Sequence, residues 1–369
     1  MTDAVALAQK LVRMNTAGGG EQEATEMIAG RLARAGARVT IVPFAPGRAH
    51  LVAFAGDVSR APLVCSGHLD TVPFGDAPWR HDPLSGDVVD GWLYGRGAAD
   101  MKSGVAALVV ALERHLMRRQ PGRGVVLALT AAEESGCEGS RHLVSTLDLP
   151  SGGPLLVAEP TANRIATGHK GVLWLKVTAA GRAAHGSRPD LGDNAIVSLA
   201  RLAIALADEG LTGRHTDMGP VTVNVGTFAG GTKINLVPDS ATMTLDVRMV
   251  PGVDPADVLA RLRQLSGGAI DIEVLDDLAP AYCSPDGPFV RTMTDALESI
   301  TGRAELRQPL TYFTDAAILT GALSCPEVVL FGPGDPDAAH TTDERCKTAG
   351  IETAAAVIER ALDAWTAVA

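Results

Sequence analysis

Apolar residues recur with two different patterns in the first part of the chain. Residues 5–12, 21–35 and 105–116 carry them at helical spacing, whereas runs such as VVLALT and PLLVA are apolar throughout. Continuous apolar runs are typical of parallel strands that are covered on both faces. We therefore predict an α/β fold with a mostly parallel sheet and helices on both of its faces.

The pattern changes at about residue 171 and changes back at about residue 282. The segment VLWLKVTAAGRAAHG alternates like a half-exposed strand, and the order predicted after it is helix, strand, strand, helix, strand. Such an order is typical of a compact unit with an antiparallel sheet and helices on one face. We predict one domain formed by residues 1–170 and 282–369, interrupted by a smaller α+β domain of residues 171–281.

The composition argues against several kinds of binding partner and cellular location. The chain of 369 residues has a formal net charge of −11, which argues against nucleic acid or an anionic membrane surface. Its apolar runs are too short for a membrane span. Five scattered cysteines, odd in number and without a CxxC pair, predict no disulfide framework. We expect a cytoplasmic protein.

Side chains that bind metals follow four of the apolar strands, and another lies in the glycine-rich turn GWLYGRGAADMKSG. In chain order they are His68, Asp70, Asp100, Glu133, Glu134, Glu159 and His340. Ligands of open α/β sheets bind beyond the carboxyl ends of the strands, so we expect these side chains to meet in one crevice. Imidazoles and carboxylates gathered there would repel and desolvate one another unless a cation held them together.

Each of these positions also has an ordinary structural interpretation. Asp100 could cap the helix that follows it, and the others could be strand-end, turn or loop residues. Together these interpretations require several coincidences at the same kind of position, which favours the metal site. Cys65 and Cys137 lie nearby in the sequence, and we expect them in the core or behind the ligands.

Five motifs occur in the order HLDTVPFG, GWLYGRGAADMKSG, TAAEESGCEGS, AEPT and FGPGDPDAAHTTDE. In content and order they resemble the co-catalytic metallohydrolases, a family of acetylornithine deacetylases, succinyl-diaminopimelate desuccinylases, aminoacylases and carboxypeptidases. The resemblance extends over nearly the whole chain. It implies an enzyme that hydrolyses linear amide or peptide bonds, with a catalytic domain interrupted by a lid or dimerisation domain at residues 171–281.

The resemblance also implies a role for each residue of the site. Asp100 would bridge two zinc ions, for which Co²⁺ or Mn²⁺ could substitute, and its peptide bond to Met101 would be cis. His68 and Glu159 would complete one metal, and Glu134 and His340 the other. Glu133 would be the general base for the attacking water, and Asp70 would hydrogen-bond the far nitrogen of His68.

The resemblance also implies roles for three residues of the inserted domain. His185 matches a catalytic histidine that reaches from one subunit into the site of its partner and steadies the tetrahedral oxyanion, which implies a homodimer through the lid domain. An exposed loop histidine is the alternative interpretation. Asn235 and Arg248 match positions that grip a substrate carboxylate, a task that suits the planar fork of arginine. A salt bridge to a nearby aspartate, Asp246 or Asp239, is the competing explanation for Arg248.

Two substrate signatures coexist in the chain. YFTDAAIL and FGPGDPDAAH look most like the acetylornithine deacetylases, whereas GRGAADMKSG looks more like the desuccinylases. We expect an N-acyl-amino-acid deacylase, although a carboxypeptidase or dipeptidase would use the same metal site. A metal- or peptide-binding protein without catalysis is the alternative of another class. Glu133 argues against it, because a pure binder has no use for a base beside the metals.

Overall fold

The computed structural model describes residues 3–118, 122–267 and 270–367. The helices are α1 (Asp3–Arg13), α2 (Gln22–Arg34), α3 (Lys102–Arg118), α4 (Glu138–Thr146), α5 (Ala195–Glu209), α6 (Pro255–Ser266), α7 (Pro288–Thr301), α8 (Ala316–Ala322) and α9 (Thr348–Thr366). The strands are β1 (Arg38–Ala45), β2 (Arg48–Ala55), β3 (Leu63–His68), β4 (Val88–Val89), β5 (Trp92–Tyr94), β6 (Val125–Thr130), β7 (Leu155–Val157), β8 (Ile165–Ala166), β9 (Gly168–His169), β10 (Gly171–Ala180), β11 (Arg214–His215), β12 (Gly219–Pro220), β13 (Thr222–Gly230), β14 (Ser240–Met249), β15 (Ile270–Leu278), β16 (Ala281–Tyr282), β17 (Leu306–Arg307), β18 (Val328–Leu330) and β19 (Arg345–Lys347).

The chain divides into two compact units. The first comprises Met1–Gly168, Tyr282–Gln308 and Thr314–Ala369, and the second comprises His169–Ala281 and Pro309–Phe313. The second unit therefore includes a short piece, Pro309–Phe313, that lies outside the segment 171–281 singled out by the hydrophobic pattern.

The first unit is built on an eight-stranded mixed sheet, which confirms the predicted α/β class. Its strand order is β1-β2-β6-β3-β7-β18-β8-β17. Pairing is parallel at the centre, between β6 and β3, β3 and β7, and β7 and β18. It is antiparallel where β1 and β2 extend the sheet at one edge. Every residue of β3, β6, β7 and β18 is buried, as the continuous apolar runs predict.

The helices of the first unit fall into two packing groups. In one group α1, α3, α7 and α9 pack on one another, and α2 packs on β1 and β2. In the other, α4 and α8 pack together, and α4 also contacts β1 and β6. Two separate groups are expected when helices cover both faces of one sheet. None of the described helices combines the length and apolar character that a bilayer crossing requires.

A glycine sets the distance between α3 and the end of β7. A Cβ atom on Gly104, in the first turn of α3, would lie only 2.0 Å from the carbonyl oxygen of Ala158. Only glycine therefore allows this approach. It matters because Asp100 comes just before α3 and Glu159 comes directly after Ala158.

The second unit contains a four-stranded antiparallel sheet in the order β13-β14-β10-β15. The strand β10 pairs with β14 and with β15, and β13 pairs with β14 at one edge. The helices α5 and α6 pack on each other, and α5 packs on β10, β13 and β14. Alternating burial along β14 shows that one face of this sheet is covered, which is the usual arrangement in an α+β unit.

Candidate metal centre

The carboxyl ends of four neighbouring parallel strands lie at the same edge of the main sheet. These strands are β6, β3, β7 and β18, and each leads into residues that the sequence marks as candidate ligands. His68 is the last residue of β3 and is paired in register with Thr130, the last residue of β6. When strand ends are arranged in this way, the residues that follow them lie around one crevice.

Asp100 lies between two histidines, one facing each of its carboxylate oxygens. Its Oδ1 atom is 3.1 Å from Nε2 of His68, and its Oδ2 atom is 3.4 Å from Nε2 of His340. His340 also approaches Oε1 of Glu134 at 3.0 Å. The peptide bond between Asp100 and Met101 is cis, as the resemblance implies.

The donor atoms of this cluster fit a transition-metal cation. One ligand atom from each of His68, Asp100 and Glu134 lies within 4.8 Å of the others. Imidazole nitrogens and carboxylate oxygens are the donors that zinc takes in proteins. The structure thus brings together a candidate metal site from residues that are far apart in the chain.

Electrostatics within the cluster reflect the close approach of opposite charges. Burial alone would lower the pKa of His68, but its hydrogen bond to Asp100 and the nearby carboxylate of Asp70 raise it well above the ordinary value. Hydrogen bonds to Asp100 and Glu134 raise the pKa of His340 to about 10. Burial opposes the ionisation of Asp100, yet the two histidines lower its pKa. A cation bound at this site would take over the stabilisation of these carboxylates.

Glu159 is not among the residues whose ligand atoms lie within 4.8 Å of one another, which are His68, Asp100 and Glu134, but its charge interacts with that of Asp100. It follows β7, its side chain is buried, and burial together with the charge of Asp100 raises the pKa of its carboxyl well above the ordinary value. A buried carboxyl beside another carboxylate requires a compensating positive group in order to ionise.

Glu133 is a buried carboxyl next to the candidate ligands. Burial raises its pKa well above the ordinary value, and the nearby charge of His68 opposes that rise. The Sγ atom of Cys137 lies 3.8 Å from its Oε1 atom. A carboxyl with a raised pKa is suited to accept and return a proton near neutral pH. Cys65 and Cys137 are both buried, and burial raises the pKa of each thiol.

Asp70 contacts the site through its carboxylate and through its backbone. Its two carboxylate oxygens accept hydrogen bonds from the backbone amides of Glu133 and Glu134, each at 3.1 Å. The Nδ1 atom of His68 lies 3.0 Å from the carbonyl oxygen of Asp70 and 3.6 Å from its carboxylate. Asp70 therefore holds the two glutamates in place and orients the His68 ring mainly through its backbone carbonyl.

The three remaining predicted residues lie in the second unit. His185 is exposed, and its Nδ1 atom lies 2.8 Å from Oγ of Ser187 and 3.2 Å from the backbone nitrogen of the same residue. Asn235 is exposed on a neighbouring segment. Its backbone carbonyl oxygen accepts a hydrogen bond from the backbone amide of Gly186 at 2.8 Å. Arg248 forms an ion pair with Asp246 at 2.9 Å.

Sequence reasoning assigned no role to three buried charged residues beside the centre. Asp315 accepts a hydrogen bond from Thr130, the last residue of β6. Arg96 and Glu344 form a buried ion pair at 2.7 Å. The available signals were charged residues inside the motifs GRGAAD and HTTDE and in the stretch YFTDAAIL, but a charge in a loop motif is by itself usually a solvated residue.

Comparison with known proteins gives the same interpretation. Residues 64–364 match the family described as peptidase family M20/M25/M40. The chain is 32% identical over 387 residues to a succinyl-diaminopimelate desuccinylase of Methylorubrum extorquens, with 98% of each chain covered. It is 29% identical over 360 residues to an acetylornithine deacetylase of Vibrio cholerae, with 94% of this chain and 92% of the other covered.

A solved structure agrees in fold. The M20 family metallo-carboxypeptidase of Sulfolobus solfataricus superposes with a TM-score of 0.81 at 18% sequence identity, covering 99% of this chain and 100% of the other. At this level of identity the superposition shows only that the two folds are alike. The reaction class is shown by the family match and by the relatives that align over nearly the whole chain. The chain belongs to peptidase family M20/M25/M40 and is a hydrolase of amide bonds.

Proposed function

We propose that this hydrolase removes the acyl group from N-acyl amino acids at a centre that holds two zinc ions. The observation that carries the proposal is the position of Asp100. Its two carboxylate oxygens face the Nε2 atoms of His68 and His340, at 3.1 and 3.4 Å. A carboxylate placed between two imidazoles can be shared by two cations.

The two ions would divide the remaining ligands between them. His68 and Glu159 would complete the first set of ligands, and Glu134 and His340 would complete the second. Co²⁺ and Mn²⁺ accept similar donors and are the expected substitutes. When bound, zinc lowers the pKa of water to about 7 and polarises a carbonyl oxygen.

Glu133 would accept and transfer the proton during hydrolysis. Its side chain is buried beside the ligands, and its backbone amide is held by the carboxylate of Asp70. As general base it would take a proton from the attacking water and then pass it to the leaving amine. This route requires no nucleophilic serine or cysteine, and the buried thiol of Cys137 next to Glu133 has a raised pKa that disfavours the thiolate.

The relatives that match nearly the whole chain favour an N-acyl amino acid as substrate. They are named a desuccinylase and a deacetylase, whereas the likeness to the carboxypeptidase is one of fold. We propose that Asn235 and Arg248 grip the carboxylate of this substrate. The Nη2 atom of Arg248 is paired with Asp246, while no hydrogen-bond partner of its Nη1 atom is found within the described part of the chain.

The second unit offers a surface for a homodimer. Its strand β13 lies at the edge of the sheet and is mostly exposed, and Phe228 on β13 and Val197 and Ile204 on α5 are exposed apolar residues. Pairing with a second copy along this edge would cover both the free backbone groups and the apolar side chains. In such a dimer His185 would serve the site of the partner subunit.

We further propose a cytoplasmic location. The five cysteines are free and buried, in keeping with a reducing compartment. The net charge of −11 makes nucleic acid and anionic membrane surfaces unfavourable partners.

Hydrolysis of a matched substrate panel tests this function. The panel contains the N-succinyl and N-acetyl derivatives of one diamino acid and a dipeptide of the same amino acid. We expect turnover of an N-acyl derivative, loss of activity after chelation and recovery with Zn²⁺ or Co²⁺. Elemental analysis of protein purified without chelator should give about two zinc ions per chain.

Two outcomes would contradict parts of the proposal. Hydrolysis of the dipeptide alone would favour a carboxypeptidase or dipeptidase that uses the same metal site. Fully active protein that contains one zinc ion or none would exclude the two-zinc centre.

A further inference from the structure

We propose that the buried ion pair of Arg96 and Glu344 is a positioning device that holds the Asp100 and His340 segments in register and thereby sets the affinity of the centre for metal. The inference rests on the metal site of the proposed function. It assigns a task to two residues outside the proposed ligand set, which bond the backbone of Asp100 and of the residue after His340.

Glu344 holds the turn that carries Asp100. Its side chain is completely buried. Its Oε1 atom accepts hydrogen bonds from the backbone amide of Ala99 at 2.8 Å and from that of Asp100 itself at 3.0 Å. Its Oε2 atom accepts a hydrogen bond from Nη1 of Arg96 at 2.7 Å. Both carboxylate oxygens are therefore used, and two of the three bonds end on the segment of the bridging aspartate.

Arg96 extends the same network to two other segments of the site. Its Nη1 atom also donates to the carbonyl oxygen of Thr341, the residue after His340, at 3.2 Å. Its Nη2 atom donates to the carbonyl oxygen of Pro73, in the loop that begins at Asp70, at 3.1 Å. One buried pair thus connects the Asp100 turn, the His340 segment and the Asp70 loop.

The backbone at His340 requires such support. His340 has a φ angle of 61°, in the left-handed region that residues other than glycine seldom adopt. Conformations of this kind persist where the surrounding structure holds them. The bond from Arg96 to the adjacent Thr341 carbonyl supplies one fixed point next to this residue.

Stability alone is a weak explanation for the pair. A buried ion pair contributes little relative to a well-packed apolar pair, because two charges must be desolvated. Strand pairing already brings Glu344 to this place, since its carbonyl oxygen accepts the amide of Gly95 at 2.9 Å and β19 pairs with β5. What the two side chains add is the set of bonds to the segments that carry metal ligands.

Two variants and a matched control test the proposal. Glu344→Gln keeps the shape of the side chain but turns an acceptor for Arg96 or for the amides into a donor. Arg96→Lys keeps the charge but cannot reproduce the fork that reaches Glu344, Thr341 and Pro73. The control is Glu21→Gln, because Glu21 is equally buried and paired with Arg48 at 2.9 Å in the same unit. None of the hydrogen bonds that the structure shows for Glu21 and Arg48 reaches a candidate metal ligand.

The measurements are made on the full-length protein with zinc and cobalt as probes. Zinc dissociation constants come from competition with a chromophoric chelator, cobalt spectra report the ligand geometry, and the Tm of the metal-free protein reports the fold. We expect Glu344→Gln to weaken zinc binding by about 10–100-fold, the range for residues that orient metal ligands. Arg96→Lys should weaken it in the same direction, with an altered cobalt spectrum in both variants. Glu21→Gln should lower the Tm and leave both metal readouts unchanged.

The proposal is overturned if Glu344→Gln and Arg96→Lys bind zinc as the wild type does, or if Glu21→Gln weakens zinc binding equally. If Glu344→Gln does not fold, Arg96→Lys decides the matter, because it leaves in place the hydrogen bonds that the amides of Ala99 and Asp100 donate to Glu344. Failure of the proposed function would look different. In that case the wild type itself would bind no zinc or would hydrolyse no N-acyl amino acid.

Discussion

At the scale of single residues, Glu133 and Glu134 are sequence neighbours in different surroundings. The side chain of Glu133 is buried beside Cys137, whereas Oε1 of Glu134 faces the His340 ring at 3.0 Å. Asp70 holds both of their amides, each at 3.1 Å, and so fixes the peptide between them. One rigid turn in this way holds two neighbouring carboxylates in different surroundings, as the proposed roles of Glu133 as base and Glu134 as metal ligand require.

The two glutamates should respond differently to the same substitution. We expect Glu133→Gln to keep the metal content and to lower kcat by about 10²–10⁴-fold, the range for loss of a general acid–base group. Glu134→Gln is its matched control and should lower zinc affinity, because it changes a proposed metal ligand. Metal content, zinc dissociation constants and kcat are measured on both variants. If both keep their metals and only Glu134→Gln loses turnover, the two roles are reversed.

At the scale of elements, the centre depends on how closely α3 approaches the end of β7. The approach places the turn of Asp100 against the strand end that leads to Glu159. It is possible because Gly104 has no Cβ atom, which would lie 2.0 Å from the carbonyl oxygen of Ala158. Backbone atoms cannot yield as a flexible side chain can, so a larger residue at position 104 must displace the helix or the strand.

Gly104→Ala should therefore destabilise the protein, even though alanine is the better helix former. We expect the free energy of unfolding to fall by about 1–3 kcal/mol, as for other overpacked interiors. Gly321→Ala is the matched control, because Gly321 lies in the helix α8 with no atom within 4 Å of its would-be Cβ atom. Urea unfolding of both variants measures the difference. A Gly104→Ala protein as stable as the control would show that α3 can shift without cost.

At the scale of the whole molecule, the chain combines one unit that carries the candidate metal centre with a second unit that carries His185. The described residues of the second unit contribute no candidate metal ligand to the cluster. His185 is exposed there, and its Nδ1 atom lies 2.8 Å from Oγ of Ser187. If His185 serves the partner subunit, the active unit is a dimer.

Mixing two inactive variants tests this arrangement. A hybrid of one His185→Ala chain and one Glu133→Gln chain would contain one site with an intact base and an intact histidine. We expect activity approaching half that of a wild-type dimer after subunit exchange, which tagged chains would verify. Each variant refolded with itself is the control and should remain inactive. Verified exchange without recovery would mean that His185 acts within its own chain or only in structure.

Much of the centre could be predicted from the sequence because its ligands follow a local rule. Strands that are buried on both faces are continuous apolar runs, and a polar residue that ends such a run must lie at the edge of the sheet. His68, Glu133 and Glu159 were found by that rule, and the structure places all three as buried groups next to Asp100 or its neighbours. The resemblance to a family then supplied their expected roles.

The sequence by itself determined the alternation of strands and helices, the candidate ligands and the family, because each of these is expressed in periodicity or in a contiguous motif. Only the tertiary structure decided which buried charges meet. Glu344 and Arg96 are separated by 248 positions, and no local pattern shows that they form a pair or that their bonds end at Asp100 and Thr341. The same holds for the carboxylate of Asp70, whose partners are two amides more than 60 positions away. Hydrogen bonds of this kind depend on distances of a few ångströms between remote segments, which packing alone determines.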